Sequence, residues 1–130
     1  MLHAGGIVGL LPDFDLKRAS GIFVPFLGKP AWTATGPAHL AVSAGAPLLT
    51  AYVIPEGDRY RLVFEEGILP EPGAEKRAEI ERLTRAWSAR FEARIRERPR
   101  LWVWIHRRWD TTPEVAAERR ARGRDGGLAV

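Results

Sequence analysis

The chain has 130 residues, of which 45% are hydrophobic and 28% charged; that fits one globular domain burying roughly two-thirds of its unfolded surface. It has no cysteine, which excludes disulfides and thiolate ligands. No run approaches the ~20 apolar residues of a membrane-spanning helix, and no basic segment precedes an apolar run at the N-terminus as a signal peptide requires. The net charge of +4 is concentrated at one end: 11 basic residues stand against 11 acidic ones through position 95, and 9 against 5 beyond it. Such an end suits a phosphate-bearing partner, whether nucleic acid or anionic lipid.

Residues 7–11 (IVGLL) form a short apolar run closed by Pro12 and Asp13, and residues 21–27 (GIFVPFL) a second, rich in β-branched and aromatic side chains. Both predict strands, with Pro25 favouring an edge or a bulge. Ala38, Ala41, Val42 and Ala46 recur at helical spacing behind Thr35, Gly36 and Pro37, which predicts a short helix over 35–46 with Thr35 as its cap. Residues 47–54 (PLLTAYVI) then read as a strand buried on both faces, and residues 60–66 as its hairpin partner after a turn at Glu56, Gly57 and Asp58.

From Ala74, the residues Ile80, Leu83, Trp87, Phe91 and Ile95 fall on one helical stripe, and Pro99 ends the helix. The stripe reads as a face docked on a sheet; a membrane-surface role is disfavoured by the interleaved glutamates. Residues 101–109 (LWVWIHRRW) hold three tryptophans. If extended, they turn Trp102, Trp104 and His106 to one side and Leu101, Val103 and Ile105 to the other. After Pro113 little is left to bury, so residues 113–130 are expected to be a disordered basic tail and 1–112 the domain. The order β, β, α, β, β, α predicts an α/β fold. The first strand lies so close to Met1 that a preceding element is expected and missing.

Three stretches taken in order, residues 5–15 (GGIVGLLPDFD), 21–49 (GIFVPFLGKPAWTATGPAHLAVSAGAPLL) and 98–109 (RPRLWVWIHRRW), resemble the lipid A biosynthesis (lauroyl/myristoyl) acyltransferases of the lysophospholipid acyltransferase superfamily. The resemblance implies a partial glycerolipid-acyltransferase-like sheet with covering helices, its N-terminal half missing. It implies an acyl carrier protein thioester as donor, a glycolipid hydroxyl as acceptor, no cofactor, and work at the cytoplasmic face of the bacterial inner membrane. The family's chemistry uses a His and an Asp or Glu separated by four residues, the His acting as general base. His3 is followed at that spacing by Val8, His39 by Ala44 and His106 by Thr111. The dyad is absent, as is the family's N-terminal anchoring helix, so the chain is expected to be inactive alone.

The resemblance places Asp13 beside the active-site cleft. The Asp13/Asp15 pair also reads as two solvated turn carboxylates, with metal binding the weaker option. Phe23, Pro25, Phe26 and Gly28 either line a trough for the acyl chain or belong to a packed strand, Gly28 allowing close backbone approach. Thr33 and Thr35 either bind a head group or, for Thr35, cap the helix. Trp102, Trp104, Arg107, Arg108 and Trp109 are the candidate membrane and head-group contacts, against plain burial of the indoles. Two readings compete with a split acyltransferase: a full enzyme using His106 with Asp13 as its partner, and a non-catalytic module that binds anionic lipid through the Trp/Arg segment. Nucleic-acid binding is disfavoured, because the aromatics cluster in one short run and the first 95 residues are charge-balanced.

Overall fold

A computed structural model of the chain describes residues 2–125. It is a mixed α/β structure with two antiparallel two-stranded ribbons and three α-helices among the described residues. Strands β1 (Gly21–Phe26) and β2 (Lys29–Ala34) pair in the register Gly21↔Ala34 to Phe26↔Lys29. Their two-residue turn needs left-handed backbone at both positions; Gly28 (φ 80°) adopts it freely, whereas Leu27 (φ 49°) does so against its steric preference while packing on the cluster of Phe26, Ala31 and Ile95. β2 is absent from the sequence expectation because Leu-Gly is not a recognised turn signal and its Pro30 argues against a strand.

The strand expected at residues 7–11 does not form. Among the described residues it has no backbone partner, and Ile7 is 91% exposed. Helix α1 (Gly36–Ala44) begins after Thr35 and closes at Gly45, whose left-handed φ of 61° lets its N–H reach the Ala41 and Val42 carbonyls. Thr35 occupies the cap position but does not cap. Its hydroxyl donates instead to the Ser20 carbonyl at 3.1 Å, tying the helix start to the entry of β1.

Strands β3 (Ala51–Glu56) and β4 (Arg59–Phe64) form the expected hairpin, register Ala51↔Phe64 to Glu56↔Arg59, about a turn with Gly57 at φ 64°. A bridge from Leu48 to Ile68 extends the ladder. Burial on both faces does not hold, because a two-stranded ribbon has only one face against the body: Ile54 is buried, whereas Val53, Leu62 and Phe64 are exposed.

Helix α2 (Lys76–Glu97) carries the predicted stripe. Its first turn is capped by the Glu75 carboxylate, which accepts from the Arg77 and Ala78 amides, and Arg94 and Arg96 complement the dipole at its last turn. Leu83 and Trp87 enter a cluster with Ala38, Ala41 and Leu48; Ile95 enters the second cluster with Phe26 and Ala31, and Phe91 packs against both. One helix thus joins the two ribbons. Beyond a 3-10 turn at Pro99–Leu101, residues 102–112 are irregular rather than extended, so the two-sided alternation predicted for 101–109 is not realised. Residues Pro113–Asp125 form helix α3, not the expected disordered tail, with Ala116 buried; residues 126–130 lie outside the described chain.

Glu79 in α2 is buried yet satisfied. Its carboxylate takes Arg82 Nε at 2.7 Å and the Glu71 amide at 2.8 Å. The Arg82 hydrogen bonds outweigh burial and, with the amide, lower its pKa from 4.5 to about 2. A lowered carboxylate pKa stabilises the fold above the unfolded value and loses that contribution as pH falls through the folded one. The urea midpoint is therefore expected to drop between pH 4.5 and about 2, and Glu79→Gln to flatten that slope. Leu83→Ala is expected to destabilise by about 2–5 kcal/mol in the same unfolding experiment, against under ~0.5 kcal/mol for Leu62→Ala on the exposed ribbon face.

Candidate functional site

The N-terminal segment owes its position to the other end of the chain. The Asp15 carboxylate accepts the Thr111 amide at 2.6 Å and the Thr111 hydroxyl at 2.9 Å. Lys17 pairs with Asp110 at 2.7 Å, Arg119 donates to the Lys17 carbonyl at 2.8 Å, and Phe14 stacks on His106 with centroids 5.7 Å apart. Residues 14–17 are thereby fastened to the irregular segment before α3.

That segment is fastened in turn to β2 by Arg108, which is 1% exposed. Its Nη1 donates to the Trp32 carbonyl at 2.5 Å, and its Nη2 to the Thr33 hydroxyl at 2.7 Å. The hydroxyl donates its own hydrogen bond to the Ala31 carbonyl at 3.1 Å. The guanidinium lies 4.8 Å from the centroid of Phe26, whose ring also meets Trp102 and Trp109. Nε has no partner. Burial lowers the Arg108 pKa, opposed by the nearby charges of Asp15 and Asp13.

Fixing these segments leaves an open groove of about 610 Å³. Leu10, Leu11, Pro12 and Asp13 form one wall, Tyr52, Val53, Ile54 and Val63 of the β3–β4 ribbon another, and Phe91, Ile95, Leu101 and Trp102 close it. Arg61, Arg94, Glu97 and Arg98 stand at its rim. Arg94 is held by Glu65 at 2.7 Å and Glu97 at 2.6 Å, with its guanidinium 5.5 Å from the Tyr52 ring. Burial pushes Glu65 upward, but hydrogen bonds from Thr50 and Arg94 and the charges of Arg94 and Arg90 outweigh it, so its pKa is lowered. An apolar trough with guanidinium groups at the rim suits an amphiphile that places its chain inside and a polar head outside.

Of the residues singled out in the sequence, Asp13 and Trp102 border this groove. Phe26, Thr33, Arg108 and Trp109 gather at the buried node behind it. Phe23 is half-buried with its ring 5.1 Å from Trp32, Pro25 is exposed opposite Pro30, and Gly28 sits at the hairpin tip, where a Cβ would meet nothing within 4 Å. Phe23, Pro25, Phe26 and Gly28 are not among the residues that line this groove, Phe26 packing instead at the node against Trp102 and Trp109. Arg108 is a buried anchor and not a surface cation; Arg107 and Trp104 do remain exposed. His106 stacks on Phe14, and among the described residues no hydrogen bond joins its ring to Asp13 or any other carboxylate. The sequence reading missed Leu10, Leu11, Tyr52, Val53 and Val63; the one signal was a five-residue apolar run at 7–11 that ends in Pro12 and has no obvious strand partner.

Comparison with known proteins agrees with this arrangement in one respect, its ancestry. Residues 1–111 match the family described as bacterial lipid A biosynthesis acyltransferase. The chain is 34% identical over 122 residues to the lipid A biosynthesis lauroyltransferase of Escherichia coli, covering 91% of this chain and 38% of that protein. It is 32% identical over 113 residues to the phosphatidylinositol mannoside acyltransferase of Mycolicibacterium smegmatis, covering 87% of this chain and 34% of that protein. The chain thus spans little more than a third of the length of these relatives.

Arg108→Met should leave the Trp32 carbonyl and the Thr33 hydroxyl short of a donor and destabilise the protein by about 1–3 kcal/mol. Amide hydrogen exchange is expected to accelerate at Thr111, whose N–H is held by the Asp15 carboxylate, in that variant and in Asp15→Ala, more than in α2.

Proposed function

Because the chain belongs to the bacterial lipid A biosynthesis acyltransferase family, we propose that it is the acyl-holding part of an enzyme that moves a fatty acyl group from an acyl carrier protein thioester to a glycolipid hydroxyl at the cytoplasmic face of the inner membrane. The general base and its carboxylate come from residues outside this sequence. The observation that carries the reading is the groove, together with the family match: an apolar trough of about 610 Å³ with arginines at its rim, in a chain in which no histidine is followed at the family's spacing by an acid. The volume accommodates an acyl chain, and the rim guanidiniums can face the polar groups of a glycolipid.

In this reading Asp13 sits where the trough meets the reacting centre, and Leu11 and Val63 flank the chain. Trp102 closes the trough on the side of the node. The two ribbons are portions of a larger acyltransferase sheet whose other strands belong to the part of the enzyme not represented in this sequence. Phe26 and Thr33 contribute by holding Arg108, and through it the wall that carries Asp13, without touching substrate. The names of the relatives, a lauroyltransferase and a phosphatidylinositol mannoside acyltransferase, make a C12 chain and a glycolipid acceptor the natural probes.

A fluorescent C12 fatty acid is expected to bind the purified chain, and Val63→Trp, which fills the trough from an exposed ribbon, to weaken it at least tenfold with the unfolding midpoint unchanged. The same preparation is expected to turn over no lauroyl thioester on lipid acceptors. Turnover by this chain alone would contradict the assignment of the base to other residues, and unaltered binding in Val63→Trp would remove the trough.

A further inference from the structure

Residues 98–107 form a projection with a fixed base and an exposed apolar tip. At the base, Trp102 packs against Phe26 and Trp109, with centroids 5.7 and 6.3 Å apart, and the adjoining Arg108 is tied to β2. Above it the chain turns back on itself. Trp104 donates its indole N–H to the Pro99 carbonyl at 2.6 Å, and the His106 amide reaches the Val103 carbonyl at 3.3 Å. The tip this creates presents Trp104 at 54% exposure and Ile105 at 88%, with Leu101 and Val103 also exposed. A cluster of large apolar side chains exposed on one loop is unfavourable in water and indicates a surface that receives it.

The charge around the tip points to what that surface is. Arg98, Arg100 and Arg107 are exposed beside it. The two acids that flank the stretch are already engaged, Glu97 by Arg94 at 2.6 Å and Asp110 by Lys17 at 2.7 Å; Arg107 reaches Asp110 only at 3.9 Å. An indole and aliphatic groups ringed by guanidiniums match the boundary of an anionic bilayer, where the apolar groups enter the acyl region and the arginines meet lipid phosphates.

We propose that residues 98–107 are a membrane-docking tip that inserts Trp104 and Ile105 into an anionic lipid surface, with Arg98, Arg100 and Arg107 on the phosphates. The proposal rests on the groove reading in one respect: Leu101 belongs both to the tip and to the groove wall, so docking sets the groove opening at the lipid boundary. It relocates the contact expected from the sequence, because Trp102, Trp109 and Arg108 are the base of the projection.

Flotation of the full chain with phosphatidylcholine vesicles, with and without phosphatidylglycerol, tests it. Binding is expected only to the anionic vesicles, falling with added salt as the Debye length shortens. Each arginine changed to glutamine is expected to weaken binding about fivefold. Trp104→Ser with Ile105→Ser is expected to reduce binding at least tenfold, and Ile105→Ser alone, at a side chain 88% exposed, to weaken it with the unfolding midpoint unchanged, which separates docking from the packing of Trp104 on Trp102. The tryptophan emission of the wild type should shift to the blue on anionic vesicles, and the shift should be smaller in Trp104→Phe. No flotation of the wild type, or equal flotation of the double serine variant, would overturn the proposal. So would displacement from vesicles by an acidic soluble protein that binds the serine variant as well as the wild type, which would assign the arginines to a protein partner. C12 fatty acid binding in vesicle-free solution is scored separately, so loss of docking with intact fatty acid binding sinks the tip alone, and the reverse sinks the groove alone.

Discussion

A guanidinium taken out of water must be surrounded by acceptors, and the way Arg108 meets that requirement organises much of this molecule. Among the described residues no carboxylate lies within ion-pairing distance of it; its partners are a β2 carbonyl, the Thr33 hydroxyl and the face of Phe26. Such an arrangement is demanding, since desolvation penalises the charge and only well-placed dipoles and the more distant Asp13 and Asp15 offset it. Retaining it fixes residue 108 against the first ribbon, and with it the neighbouring Asp110 and Thr111. Those two residues hold Lys17 and Asp15. The N-terminal segment, which has no secondary structure of its own between residues 6 and 12, is in this way given a place opposite the second ribbon.

The groove follows from that chain of contacts. Its walls come from three parts of the sequence far apart in number: the unpaired segment at 10–13, the β3–β4 ribbon, and the end of α2 with the turn after it. None of them is held by a continuous sheet. The family relationship gives this economy a context, because the curated relatives extend well beyond the region matched by this chain.

Helices α1 and α2 and the second hairpin were legible in the sequence because periodicity and turn chemistry are local, whereas α3, which buries little besides Ala116, carries no such stripe and was expected as a disordered tail. The stripe from Ile80 to Ile95 specifies its buried face without reference to the rest of the chain, and Gly57-Asp58 marks its own turn. The first ribbon was half legible. Its strand β1 follows from β-branched and aromatic residues, but β2 depends on Leu27 accepting a left-handed conformation, which is tolerated only because the side chain packs on Phe26 and its neighbours. The apolar run at 7–11 misled for the complementary reason: strand propensity has no force without a backbone partner. The site was less legible still. The motif residues Asp13, Phe26, Thr33, Trp102 and Arg108 do converge, but Arg108, 76 positions along the chain from its Trp32 acceptor, is an anchor where charge alone suggested a surface contact. The β3–β4 residues that line the groove carry no mark that distinguishes them from an ordinary buried strand.

The most direct test of the central claim, that the segment at 10–13 and the β3–β4 ribbon enclose an acyl-chain site, is to follow the methyl resonances of the protein by NMR during titration with dodecanoate. Saturable shifts are expected at Leu10, Leu11, Val53, Val63 and Ile95, with little change at Val24 and Leu83. Shifts confined to the β1–β2 ribbon and α1, or spread evenly over every exposed methyl group, would contradict it.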